Sequence, residues 1–244
     1  MDFAVGRRLK LMRLAGIDVY LHWTYFLAPL YIVYSTRDFD QAWLVNGVLF
    51  FLLLNLSFCV LLHELGHALM ARRFGVPTKD IIITPIGGLA RLAWMPKKPN
   101  QEFAISFAGP LVNLLIAVLL GVIVCFAGGS LLPSLSFEGM SQLPVVMLWI
   151  NLALFLFNLI PAFPMDGGRM LRSVLAKRMS YLRATLIAAR LGQLSALSFS
   201  IFVLWENQYP LILVGVFVFV SAQFELNQAR LKQVNEVDGD SIGA

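Results

Sequence analysis

Six stretches of the chain run apolar with few interruptions, at roughly 17–34, 41–72, 101–127, 143–163, 184–205 and 209–226. A helix needs about 20 apolar residues to cross the hydrocarbon core of a bilayer, so each stretch is predicted to be a spanning helix. Trp23, Tyr25, Tyr31 and Tyr34 in the first would anchor it at the interface. Two connections carry more pattern than a turn needs. Over 78–94, the β-branched run at 81–84, the break at Pro85 and Gly87-Gly88, and a second apolar stretch predict a β-hairpin or small re-entrant sheet. Over 167–182, Met170, Leu171, Val174 and Leu175 alternate with Arg172, Lys177 and Arg178, which predicts an amphipathic basic helix on the inner membrane surface. The predicted fold is therefore an all-α polytopic membrane protein. It has six transmembrane helices over 1–226, a small membrane-associated β-hairpin or sheet after span two, and a polar, flexible tail over 227–244.

Composition supports the membrane class. Of 244 residues 59% are hydrophobic and 14% charged, and the mean hydropathy is +0.76. That is more apolar surface than one soluble core of this size can hide. The net charge of +5 is spread between the apolar runs and is not interleaved with aromatics, so no nucleic acid is expected as partner. Basic residues set topology instead. Of the 19 Lys and Arg, only Arg37 falls in a loop that six spans with both termini inside would place outside; the other 18 fall inside. The N-terminal cluster Arg7, Arg8, Lys10 and Arg13 precedes no small-residue cleavage site, so the first span is expected to be retained. Cys59 and Cys125 lie inside apolar runs and read as small buried hydrophobes.

Chemistry concentrates near the cytoplasmic end of span two. His63-Glu64-Leu65-Gly66-His67 places two imidazoles at i and i+4 of a helix, where both can reach one ion. Glu64 sits beside them, within reach of a bound water without ligating. Zinc suits imidazole nitrogen and keeps one position open in catalytic sites. A bare motif also arises by chance, but ionisable side chains in a span cost about 2.5–3.5 kcal/mol each and usually mark function. A third ligand is available where span four ends in Asn158-Leu159-Ile160-Pro161-Ala162-Phe163-Pro164-Met165-Asp166-Gly167-Gly168. The prolines break the helix and the glycines allow a sharp turn, which would present Asp166 at the depth of the histidines. The bland alternative for Asp166 is a turn residue in contact with water. Eight residues from Glu64 to Arg72 put the site about 12 Å inside the helix end. His22, beside Trp23, reads as interfacial, Arg91 and Arg169 as headgroup contacts, and Asn113 and Asn151 as interhelical hydrogen-bonders.

With these residues in place the chain resembles the site-2 protease family of intramembrane zinc metalloproteases. The resemblance rests on the motif at 63–67 paired with Asn158-x-x-Pro161-x-x-Pro164-Met165-Asp166-Gly167, where Met165 replaces the more usual Leu. It extends to 17–23, to Gly87-Gly88, and to Ala108-Gly109-Pro110-Leu111-Val112-Asn113. It implies a compact bacterial or archaeal member without an inserted peptide-binding domain. One zinc per chain would be held by His63, His67 and Asp166 with a water, and Glu64 would be the catalytic base. Asn158 would bind the substrate carbonyl or oxyanion, or else support the broken helix. Catalytic spans would be 41–72, 101–127 and 143–166. A strand containing Ile83, Gly87 and Gly88 would hold the unwound substrate by edge pairing.

The activity so implied is hydrolysis of peptide bonds within or near transmembrane segments of membrane-protein substrates. It would take place in the plasma membrane, near the cytoplasmic face. The lipid bilayer is an expected partner, and a homo-oligomer or a regulatory membrane partner is open. The alternatives are a metal-ion transporter and a catalytically silent scaffold that binds transmembrane helices. The transporter needs further ligands across the bilayer, and the outer halves of the spans hold few ionisable groups. The scaffold has no use for Glu64.

Overall fold

In the computed structural model, residues 8–85, 87–96, 98–132 and 143–242 are described. Arg7 of the basic N-terminal cluster and most of the loop expected at 128–142 lie outside the described residues.

The first apolar stretch is not one helix. Arg8–Leu14 is strand β1 and Ile17–His22 is β2, paired antiparallel through Ala15 and Gly16, whose φ values are 49° and 83°. Two consecutive left-handed residues make the hairpin turn whose twist matches that of its strands, and Gly16 takes the larger φ without side-chain strain. Trp23–Phe26 is then a 3-10 turn and Leu27–Thr36 is helix α1, only 10 residues long. That helix rises about 15 Å, half the thickness of a hydrocarbon core. Strand prevails over 17–22 because apolar and polar positions alternate there, and Ile17 and Val19 have a core to enter. His22 is not an interfacial side chain but a buried cap. Its Nδ1 meets Thr24 Oγ1 at 2.7 Å and accepts from the Thr24 N–H, closing the 3-10 turn.

Helix α2 covers Ala42–Arg73, 32 residues. It ends where Gly75, at φ +76°, lets the Gly75 and Val76 N–H groups turn back to Arg72 O and Ala71 O. These two bonds satisfy carbonyls that the helix end would otherwise orphan, and buried Val76 covers them. The chain is thereby turned into β3, Thr78–Thr84, and β4, Gly87–Leu92. The expected hairpin is present, but it belongs to a larger sheet of order β1-β2-β3-β4, in which β2 and β3 run parallel. One face of this sheet packs on α2 through Ile17, Val19, Ile81 and Ile83 against Leu61 and Ala68. Asp80 on β3 is buried between Arg8 on β1, at 2.7 Å, and Arg91 on β4, whose Nε donates to Asp80 Oδ1 at 2.6 Å. Arg91 is thus a sheet clamp and not the expected headgroup contact. Burial would raise the Asp80 pKa, but Arg91 and Arg8 hold its carboxyl below the usual carboxylate range.

The remaining helices are α3 (Pro99–Phe126), α4 (Leu143–Asn158), α5 (Asp166–Leu175), α6 (Tyr181–Trp205) and α7 (Ile212–Ile242), with a 3-10 turn at Tyr209–Leu211. Among the described residues, four segments are long and apolar enough to cross a membrane: Ala42–Arg73, Pro99–Phe126, Tyr181–Trp205 and Tyr209–Leu231. The protein is a multi-pass membrane protein. Helix α4 has 16 residues, a rise of about 24 Å, and is the shortest of the apolar helices after α1. Residues 227–242 continue α7 as helix beyond the last apolar stretch. Cys59 is buried; Cys125 lies on the exposed face of α3 and is not the buried residue expected.

The chain divides into two compact units, Met1–Met95 with Ala108–Phe155, and Pro96–Phe107 with Leu156–Ala244. The first holds the sheet and α2. In the second, α6 and α7 approach closely where a Cβ on Gly215 would strike the Ser200 hydroxyl, and Gly192 of α6 leaves room for the Phe163 carbonyl of the broken segment before α5. Arg172, expected on a membrane-facing basic surface, is buried here. It donates to Glu102 at 2.7 Å and Glu225 at 3.4 Å and stacks on Phe163 and Tyr181. Arg169, also expected at headgroups, donates to Glu225 at 3.2 Å.

The Asp80 clamp has a pH signature. Because its folded pKa is depressed, its stabilisation is present above the unfolded value of about 3.9 and is lost as pH falls through the folded value. Asp80→Asn should lower stability by about 1.5–3 kcal/mol at neutral pH. The gap between variant and wild type should close in acid, as thermal unfolding in detergent against pH will show.

Candidate functional site

His63 and His67 lie on one face of α2, both buried. Their rings meet edge to face with centroids 4.7 Å apart, and their Nε2 atoms stand 3.1 Å from each other. Two nitrogens, each about 2.0–2.1 Å from one tetrahedral zinc, stand about 3.3 Å apart. The pair therefore has the spacing of a chelate.

Room for an ion is built by glycines. Helix α3 lies so close to α2 that a Cβ on Gly66 would sit 2.8 Å from both the Ala108 carbonyl oxygen and Val112 Cγ2. Gly109 then falls opposite the two imidazoles, and a Cβ there would run into Nε2 of both His63 and His67. The space that side chain would fill is the space an ion between the nitrogens needs. On its other side His63 presents Nδ1 to Asn113 Oδ1 at 2.9 Å. Asn113 was expected to join helices; the atom it meets is a motif imidazole.

Glu64 is half-buried and faces the sheet. Its Oε2 accepts the Ala90 N–H of β4 at 2.7 Å, which holds one carboxylate rotamer. Strand and helix touch because Gly88 has no side chain: a Cβ there would lie 2.9 Å from Val60 Cγ1 and would collide with Glu64 Cγ. Gly88 thus faces the motif carboxylate. Gly87 and Gly88 lie on β4, at the end of the strand order, whereas Ile83 is buried in the core on inner strand β3.

Asp166 opens α5, where a carboxylate complements the positive end of the helix dipole. The prolines act as expected: α4 stops at Asn158 and helix does not resume until Asp166. Gly167 and Gly168 do something else. They form no sharp turn but lie in the first turn of α5, where Cβ atoms would strike the backbone of Leu159, Ile160, Ala162 and Phe163. Their bareness lets the broken segment lie against the helix that carries Asp166. Asn158 is the half-buried last residue of α4. Asp166, like the two histidines, is buried.

The polar partners Asn113, Glu102 and Asp80 escaped functional reading. Asn113 carried a usable signal, standing four residues after Gly109 and so on the same helical face.

Comparison with known proteins places the chain in a family. The model of peptidase family M50 matches residues 51–140 and 131–199, more than half of the chain. The chain is 39% identical over 218 residues to a zinc metalloprotease of Methanocaldococcus jannaschii, covering 89% of this chain and 60% of that protein. It is 31% identical over 242 residues to Rip3 of Mycobacterium tuberculosis, covering 93% and 60%. Among solved structures it is similar to the site-2 protease from Methanocaldococcus jannaschii, with a TM-score of 0.65 and 36% identity over 90% of this chain and 95% of that one. The chain spans about 60% of the length of these two curated relatives.

The glycine cradle is open to test. Gly109→Ala should weaken metal binding on the order of tenfold or more, because the added methyl displaces both imidazoles. Metal per chain after dialysis against a chelator measures it; a variant that keeps wild-type metal content contradicts the cradle.

Proposed function

The chain belongs to peptidase family M50, the site-2 proteases, and on that premise we propose that it is an intramembrane zinc metalloprotease. It hydrolyses peptide bonds within or near transmembrane segments of membrane-protein substrates. The observation that carries the proposal is the convergence of the His63 and His67 Nε2 atoms over bare Gly109, with Glu64 beside them, on an apolar helix. His63, His67 and Asp166 are the zinc ligands, one ion per chain with a water completing the set, and two imidazoles with a carboxylate are a donor set zinc takes readily.

Zinc in such a site supplies a Lewis acid and a water acidic enough to attack at neutral pH. The rest of the chemistry belongs to the chain. Glu64 takes the proton of the attacking water on its carboxylate and returns it to the leaving nitrogen. Asn158 donates its amide N–H to the substrate carbonyl as charge develops there. The edge of β4, with Gly87 and Gly88, pairs with an unwound substrate segment and holds it extended beside Glu64.

In this reading six crossings place both termini and the active site toward the cytoplasm of a bacterial or archaeal plasma membrane. Its support is the placement of 18 of the 19 Lys and Arg. The substrate is a membrane-spanning protein, and a second copy or a regulatory membrane protein is a further partner. A transporter would need a second ligand group to pass the ion on. The outer halves of the apolar stretches hold few ionisable side chains to form one.

Glu64→Gln should reduce cleavage of a single-span substrate by about 10²–10⁴-fold while keeping wild-type zinc content. Asp166→Ala should lose the zinc. Elemental analysis and a cleavage assay on the purified proteins separate the readings: unchanged cleavage by Glu64→Gln refutes the base, and a metal-free wild type refutes the zinc site. Ala90→Pro removes the edge N–H that Glu64 accepts and should slow cleavage without loss of zinc; undiminished turnover refutes a role for this edge position.

A further inference from the structure

We propose that Asn113 is a positioning residue of this centre: its side-chain oxygen fixes the tautomer and orientation of His63 and thereby sets the affinity of the site for zinc. The inference rests on the zinc-protease reading and deepens it.

The geometry comes from α3. Gly109 and Asn113 are four residues apart, one turn along the face that meets α2. Gly109 leaves space at Nε2 of His63, and Asn113 Oδ1 meets Nδ1 of the same ring at 2.9 Å. An imidazole that ligates through Nε2 carries its proton on Nδ1, and ligating histidines hand that proton to an acceptor that orients the ring. Asn113 Oδ1 is such an acceptor. The opposite amide orientation would aim an N–H at Nδ1 and force the ring proton onto Nε2, where it would obstruct the ion.

The burial of Asn113 argues that the contact is not incidental. The residue is fully buried, and its Nδ2 has no hydrogen-bond partner among the described residues. A side chain kept for packing alone would be apolar, since an amide with half its capacity unused is a burden in a dry helix contact. Asn151 supplies the contrast. Equally buried on α4 and with its Oδ1 likewise without a partner among the described residues, it donates to Cys59 Sγ at 3.1 Å and to Met147 O at 2.9 Å; the contrast is that Asn151 meets no histidine and Asn113 meets a motif imidazole.

The test compares wild type, Asn113→Ala, Asn113→Asp and Asn151→Ala, purified at full length. Zinc affinity is read by competition with a chelator, and ligand geometry by the visible spectrum of the cobalt-loaded proteins. Asn113→Ala should bind zinc about 10–100-fold more weakly and show an altered cobalt spectrum. Asn113→Asp should recover most of the affinity, because a carboxylate accepts the same ring proton. Asn151→Ala should lower thermal stability and leave zinc affinity unchanged. Asn113→Ala with zinc affinity within about twofold of wild type overturns the proposal. So does equal weakening in the Asn113→Ala and Asn151→Ala proteins, which would mark a general loss of packing. A wild type without zinc refutes the zinc reading itself, so the two failures are distinct.

Discussion

An ionisable group inside an apolar helix costs about 2.5–3.5 kcal/mol unless something compensates it. This constraint organises the first unit. His63 and His67 face one another, with Asn113 on the far nitrogen of one ring, and Glu64 turns to a backbone N–H. The contacts to Asn113 and to the Ala90 N–H each need two backbones closer than side chains normally permit. Gly66 and Gly109 bring α3 against α2, and Gly88 brings β4 against Glu64. Glycines are therefore the structural counterpart of the polar motif: they remove methyl groups where imidazoles and a carboxylate need partners.

The same rule operates on a larger scale in the second unit. Arg172 is 3% exposed and Glu102 1%, and Arg172 also engages Glu225, Phe163 and Tyr181. A buried guanidinium with one carboxylate would be a poor exchange for water, but several partners at fixed geometry offset the loss. Arg169 and Arg172 both lie on the helix that Asp166 begins, so Glu225 ties that helix to α7 and Glu102 ties it to the start of α3. The orientation of a proposed zinc ligand thus depends on ion pairs three and six residues along its own helix.

The sheet supplies rigidity on the other side of Glu64. Asp80 on β3 ties both outer strands to it through Arg8 and Arg91, and the sheet's face toward α2 is sealed by Ile81 and Ile83. What remains at its edge is β4, whose Ala90 N–H is occupied by the motif carboxylate. Strand pairing and proton transfer would thus meet at one residue pair, Glu64 and Ala90.

Much of this was legible in local pattern. Apolar length marked α2, α3, α6 and α7, i and i+4 spacing joined His63 to His67, and Pro161 with Pro164 marked the break before Asp166. These are properties of a helix and its breakers, and they act within a few residues. The strand at 17–22 was hidden because an apolar run fits either element until a partner strand decides. One of its two partners, β3, lies some sixty residues away. The same holds for Gly167-Gly168, which read as a turn and instead accommodate a neighbouring backbone, for Arg91 and Arg169, which read as headgroup contacts, and for Arg172, which read as part of a basic surface helix; all three arginines instead found carboxylates. The sequence by itself determined the residue types, the helical spacing and the membrane class. Which acceptor meets each buried donor was decided by the tertiary structure alone, because hydrogen bonds and ion pairs act over about 3 Å and only folding sets distances that short.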